Sequence, residues 1–180
     1  MREIPSPVAV DTLRTLLKTQ PLAVLATQRG GHPYTSLVAF AASEDLRRIV
    51  FVTSRATTKY RNLFEAPHVS LLIDSRTHYV EDFTAGAAVT VLGRVAEIGD
   101  KQESALLGGF LRKHPHLDAF ARAPSTALCG VDVEKYVLVT RFQHVVEMRV
   151  SEWSSSNPCA AGMGIPVVGC RASVSAGAGS

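Results

Sequence analysis

The chain has little cysteine, little net charge and a single tryptophan. Its three cysteines, Cys129, Cys159 and Cys170, include no C-x-x-C pair. Such a sparse, odd set argues against a disulfide framework and a structural zinc site, and fits a reducing compartment. The formal net charge is only +3, and Lys and Arg are scattered. A nucleic-acid binder would carry a basic stripe interleaved with aromatics, and none is found. No apolar run approaches the ~20 residues that cross a bilayer. The first ten residues, MREIPSPVAV, lack the apolar stretch and cleavage pattern of a signal peptide. No internal repeat stands out. These absences lead us to expect a cytoplasmic protein with no nucleic-acid or membrane partner.

What remains is ordinary for a globular domain: 180 residues, 46% hydrophobic and 19% charged. That length suits one domain with a proper core. We place it at residues 1–153, because 154–180 shift abruptly to Ser, Gly and Ala without sustained period. This tail reads as disordered or as an irregular extension.

Helix signals open the chain. Ser6 is a candidate N-cap, Pro7 suits the first turn, and Val10, Leu13, Leu16 and Leu17 share one face before Pro21 ends the run. The period then changes to that of strands: LAVLAT (22–27), YTSLVAFAA (34–42), RIVFVT (48–53), HVSLLID (68–74) and AAVTVLGRVAEIG (87–99). Paired glycines in QRGGHP make a turn, and Gly93 inside the last of these strands marks a bulge or a close backbone approach. TTKYRNLFEA is a short helix stopped by Pro67. Asp100 and Glu103 form a cap-like pair before KQESALLGGFLRKH, a helix that Gly108 and Gly109 weaken. A second short helix follows around 117–122, and KYVLVTRF and HVVEMRV close the pattern as an antiparallel pair. Six or seven strands in hairpin-like runs, with few helices, argue against a doubly wound parallel sheet. The expected architecture is mainly β, an antiparallel barrel with short helices.

The stretch TSRATTK, residues 53–59, gathers hydroxyls and cations where a strand hands over to a helix. A helix N-terminus exposes unpaired N–H groups and the positive end of its dipole. Arg55 offers a two-pronged fork and Lys59 a point charge, so the joint suits one phosphate monoester. The alternative is a solvated turn in which Thr57 caps the helix and both cations face water. No G-x-x-x-x-G-K loop is present, which excludes a nucleoside triphosphate site of that kind.

Other candidates are weaker. His114-Pro-His116 lacks a third metal ligand and reads as a helix end or surface turn. His32, His68, His78 and His144 have no carboxylate at a telling spacing. Cys129 beside an apolar run reads as a buried small hydrophobe, and Trp153 as packing of the last strand or a cover for a ligand edge. GMGIPVVG (162–169) misses the third glycine of a dinucleotide loop, and no G-x-S-x-G elbow supports a hydrolase. No catalytic acid or base can be named.

The order PLAVLATQRGGHPYTSLVAFAA, RIVFVTSRATTKYRNLFEAPHVSLLID, VTVLGRVAEI resembles the flavin-binding split barrels related to pyridoxamine 5′-phosphate oxidase. Its most specific portion is T-S-R-x-T-T-K-Y-x-N-L followed by A-P-H-V-S-L-L. The resemblance implies a homodimeric split barrel with FMN at the subunit boundary and a small-molecule redox substrate. It implies that the backbone of Ser36, Leu37 and Val38 runs beside the flavin ring. Thr53 and Ser54 would approach the ring or ribityl chain, and Arg55, Thr57, Thr58 and Lys59 would hold the phosphate. Departures are equally specific. The oxidase has an Arg where this chain has Ser36, a basic pair at Thr58-Lys59, and a Gln at Ala88; its substrate-binding carboxy-terminal segment has no counterpart here. Pyridoxamine phosphate oxidation therefore does not follow. The same resemblance leaves a deazaflavin coenzyme, or a flavin or haem carrier without turnover, as alternatives; in the haem case a histidine near the carboxy-terminal strands would be the axial ligand.

Overall fold

The computed structural model describes residues 6–75, 86–98, 100–140 and 144–153, with residues 100–103 described by backbone alone. Helix α1, Pro7–Thr19, begins at Ser6, whose hydroxyl accepts from the Ala9 amide, as expected for that cap. Ala9, Leu13, Leu16 and Leu17 form its buried stripe. Strands β1 (Leu22–Arg29) and β2 (His32–Ala42) form a hairpin through Gly30 and Gly31, both at positive φ. β3 (Arg48–Ser54), helix α2 (Thr58–Glu65), β4 (His68–Asp74) and β5 (Ala87–Glu97) follow. Then come α3 (Asp100–Lys113), a 3-10 turn at Pro115–Leu117, α4 (Asp118–Ala121), β6 (Thr126–Thr140) and β7 (His144–Arg149).

All neighbouring strands are antiparallel, in the order β3-β2-β1-β4-β5-β6-β7, and β3 also pairs with β6. That pairing closes β1–β6 into a six-stranded barrel and leaves β7 as an added strand on β6. The barrel and its few helices are what the strand-rich pattern predicts.

Inward residues of the strands fill the barrel. Leu25, Phe40, Ile49, Phe51, Leu71, Ile73, Val89, Val91 and Tyr136 are all fully buried, each contributing about 1.5–3 kcal/mol by leaving water. Helix α1 covers the end where β4 stops and β5 begins, beside Ser75 and Ala87. Helix α2 covers the opposite end, where the Asn62 amide donates to Thr27 Oγ1 at 3.0 Å and Glu65 pairs with Arg29. A second apolar layer lies outside the barrel: Leu107 and Phe110 of α3 pack on Ala41, Val50, Val52 and Leu128.

This outer layer explains a strand that its sequence conceals. β6 starts at Thr126, nine residues before the expected KYVLVTRF, because residues 126–131 are buried on both faces and lose the alternating signal. The strand at 87–99 stops at Glu97. The register slips at Leu92/Gly93, the bulge that Gly93 suggests, and a Cβ there would lie 2.3 Å from the Asp132 carbonyl. Trp153 stacks on Tyr136 of β6 with ring centroids 5.9 Å apart, so it packs against the barrel core. The capping pair at 100 and 103, the tail 154–180 and GMGIPVVG lie outside the described side chains or residues.

Candidate functional site

The strand register creates the site. β2 pairs with β1 along its length, from Leu22↔Ala39 to Arg29↔His32. It pairs with β3 only at Phe40↔Phe51, Ala41↔Val50 and Ala42↔Ile49. Beyond Phe40 the two strands part, and β3 stays with β6 out to Ser54↔Thr126. The split leaves facing backbone edges, Ser36–Ala39 on β2 and Val52–Ser54 on β3, without ladder partners in each other.

A cavity of about 670 Å³ occupies this split. Leu37, Val38 and Ala39 line it from β2, and Val52, Thr53 and Ser54 from β3. Thr57 and Lys59 enter from the start of α2, Pro21 and Leu22 from the start of β1, and His114, His116, Leu117 and Phe120 from the segment after α3. Leu22, Leu37 and Phe120 are 46%, 60% and 43% exposed, an unusual solvent exposure for three large apolar side chains gathered on one cavity.

The first turn of α2 is held by a chain of short contacts. Thr57 is the N-cap: its Oγ1 accepts from the Tyr60 amide at 3.3 Å and donates to the Ser54 carbonyl at 2.8 Å. Thr53 Oγ1 lies 3.1 Å from Thr57 Oγ1, tying the buried end of β3 to the cap. The Thr57 amide is bonded to Ser54 and the Arg61 amide to Thr57. The amides of Thr58 and Lys59 have no protein acceptor among the described residues, and the Lys59 ammonium has no ion-pair partner among them. Two free donors, a helix N-terminus and a lysine thus meet at one edge of an apolar cavity.

The structure brings Leu37, Val38, Thr53, Ser54, Thr57 and Lys59 onto one wall. Ser36 precedes them on β2, and its hydroxyl is buried without a hydrogen-bond partner among the described residues. Arg55 and Thr58 are not on the wall. Thr58 Oγ1 accepts from Arg61 at 3.4 Å. The Arg55 fork is engaged by the Glu97 carboxylate and by the Tyr60 hydroxyl, the latter at 2.6 Å. The guanidinium holds the Glu97 carboxyl below its usual range, and Glu97 in turn raises the Arg55 pKa.

Sequence reasoning missed the wall after α3. His114 is buried where a surface turn is the other expectation, 2% exposed, with Nε2 2.8 Å from the Phe40 carbonyl. A carbonyl only accepts, so Nε2 carries the proton and donates to the strand where it leaves β3. Burial lowers the His114 pKa and keeps the ring neutral. Its signal was present: His114 continues the buried stripe of Leu107 and Phe110 at helical spacing. His116 is exposed, edge-on to His114 at 6.1 Å between ring centres. Cys129 is buried and its thiol is pushed up to about 12 by burial, which suits the small hydrophobe expected. No cluster of three or more metal-ligating side chains occurs among the described residues, nor does any helix among them reach the length and apolarity of a membrane span.

A family model described as pyridoxamine 5′-phosphate oxidase matches residues 9–140, which include the whole barrel up to the end of β6. The chain belongs to that family. Solved structures share the fold at low identity. A heme-binding protein from Mycobacterium smegmatis superposes with TM-score 0.73 at 19% identity, covering 82% of this chain and 60% of the other. An FAD-binding protein from Mesorhizobium loti gives TM-score 0.59 at 18% identity over 72% of this chain and 90% of the other. HutZ, the heme storage protein from Vibrio cholerae, gives 0.61 at 17% over 73% and 93%. The chain thus spans about three fifths of the Mycobacterium protein. No curated protein matches the sequence. Family membership and the closed barrel are what the T-S-R-x-T-T-K-Y-x-N-L resemblance implies.

Proposed function

We propose that this protein binds FMN in the split between β2 and β3, as a dimer, and acts as an oxidoreductase on a small-molecule substrate. The carrying observation is the cavity that joins an apolar floor to the free first-turn amides of α2 and Lys59. A flavin mononucleotide needs both: a flat apolar berth for a tricyclic ring and a cationic, donor-rich seat for one phosphate. Leu37, Phe120 and Leu22 suit the ring, the open backbone edge of Ser36–Val38 offers hydrogen bonds to its polar rim, and Thr57, Thr58 and Lys59 suit the phosphate. Bound flavin would supply the redox chemistry, which no side chain of the cavity can supply. The protein's part is to orient the ring against the strand edge, exclude water through the apolar wall, and neutralise the phosphate.

Titration calorimetry with FMN and with riboflavin tests this reading. FMN is expected to bind at least about tenfold more tightly than riboflavin, and Lys59→Ala to remove most of that margin, because charge-assisted contacts to phosphate are among the stronger hydrogen bonds. Equal affinity for the two ligands, or no binding of either, ends it.

A second reading is favoured by the imidazoles on the apolar wall. A haem berth also needs an apolar slot and a histidine, and His116 is exposed on the cavity while His144 of β7 lies against Thr140 of β6. An intense haem absorbance band in purified protein, lost in His116→Ala, would support a haem carrier over the flavoenzyme.

A further inference from the structure

We infer that Glu97 makes this site take one phosphoryl group and reject a second, so that it selects a mononucleotide flavin over a dinucleotide or a polyanionic deazaflavin tail. The inference rests on the flavin reading above and concerns which ligand of that class the seat accepts.

Arg55 hangs from the turn that also presents Ser54 and Thr57, and its amide donates to the Ser125 carbonyl at 2.9 Å, which fixes the turn. From there its guanidinium reaches away from the cavity into a closed cycle. One nitrogen pairs with Glu97 Oε1, the other donates to the Tyr60 hydroxyl at 2.6 Å, and that hydroxyl donates to Glu97 Oε2 at 2.8 Å. The guanidinium also lies 5.6 Å from the Tyr60 ring centre. Glu97 is the last residue of β5, held opposite Cys129 of β6, so its carboxylate is delivered by the barrel and not by a loop.

The consequence is a seat with a fixed number of partners. Lys59 is the one Lys, Arg, Asp or Glu among the described residues lining the cavity. A single phosphate can use its ammonium, the Thr58 and Lys59 amides and the nearby hydroxyls. A second phosphoryl group esterified to the first needs its own cation, and the cation on the same turn, Arg55, is committed to a carboxylate that repels it. Arg61 lies further along α2 and donates to Thr58, away from the lining residues. Neutralising Glu97 while keeping its shape frees the Arg55 fork for a second phosphoryl group.

The experiment is titration of the full chain with FMN and FAD for wild type, Glu97→Gln and the double variant Arg55→Ala/Glu97→Gln, with thermal melting to confirm folding. Wild type is expected to favour FMN by at least about tenfold; E97Q should bring FAD within about threefold of FMN, and the double variant should restore the preference. Tyr60→Phe, which removes the bridging hydroxyl but keeps the ring, should shift the ratio part of the way. Wild type binding FAD as tightly as FMN overturns the inference, as does a ratio unmoved in folded E97Q, or one that stays shifted without Arg55. Failure of FMN to outbind riboflavin is a different result, and it removes the flavin-phosphate reading itself.

Discussion

At the scale of single residues, Lys113, which ends α3, and His114, which follows it, have different tasks. His114 is neutral and braces β2 where the strand leaves the sheet. Lys113, its neighbour, donates to the Leu17 carbonyl at 2.8 Å and lies 3.8 Å from the Phe40 ring centre. It thereby satisfies an orphan carbonyl in the last turn of α1. Burial lowers its pKa from 10.5 to about 8. The sign of the pH effect follows. Below pH 8 both folded and unfolded chains carry the proton, and stability is insensitive to this group. Between about 8 and 10.5 the unfolded chain binds more protons, so stability rises with pH as the cost of a half-buried cation is relieved. Other buried groups titrate with the opposite sign in this window: the folded chain keeps the Cys129 thiol proton that the unfolded chain loses, which lowers stability as pH rises. Urea unfolding should therefore show the stability of wild type relative to Lys113→Met rising across the window, and a difference that does not change with pH contradicts the assignment.

At the scale of elements, glycines with opposite requirements make a paired test. At Gly93 an added Cβ meets the backbone carbonyl of Asp132 at 2.3 Å and Val131 Cγ1 at 2.9 Å, contacts that rigid paired strands cannot relax. Gly93→Ala is therefore expected to cost about 2–3 kcal/mol in urea unfolding, the upper range for overpacking. At Gly108, inside α3, a Cβ meets only the tip of Arg112 at 3.8 Å. Gly108→Ala should stabilise by about 0.5–1 kcal/mol through helix propensity. Equal effects of one sign would remove the distinction. The same contrast shows what was legible. Strands exposed on one face, such as His68–Asp74 with its alternating burial, announce themselves by a period of two. The first half of β6 does not, because Leu107 and Phe110 of α3 cover Leu128, Ile98 and Arg48 lie against Gly130, and every residue from 126 to 131 is buried. The α2 cap and Lys59 were legible because capping chemistry is local. The commitment of Arg55 to Glu97 was not, since it joins residues 42 positions apart through a barrel register that no local pattern encodes.

At the scale of the whole molecule, the split itself was invisible in the sequence: β2 and β3 read as two good strands, and only their register shows that they pair over three residues. That opening places large apolar side chains in water. Seven are conspicuously exposed among the described residues, and three of them, Leu22, Leu37 and Phe120, share the cavity. Scattered exposed leucines need no explanation, whereas a cluster flanking a ligand berth does. A second copy of the chain set against this face would cover the cluster and roof the cavity, which agrees with the dimer we propose. Leu37, the most exposed of the three, is the residue to change. Leu37→Asp should leave the chain folded, with its far-UV circular dichroism unchanged, because the side chain is 60% exposed on the single chain and its loss empties no core. Sedimentation velocity should then show wild type as a dimer and L37D as a monomer, with FMN affinity falling by at least about tenfold as one wall of the berth is lost. Wild type sedimenting as a monomer while holding FMN would show that the berth is complete within one chain, and that its apolar rim serves the ligand alone.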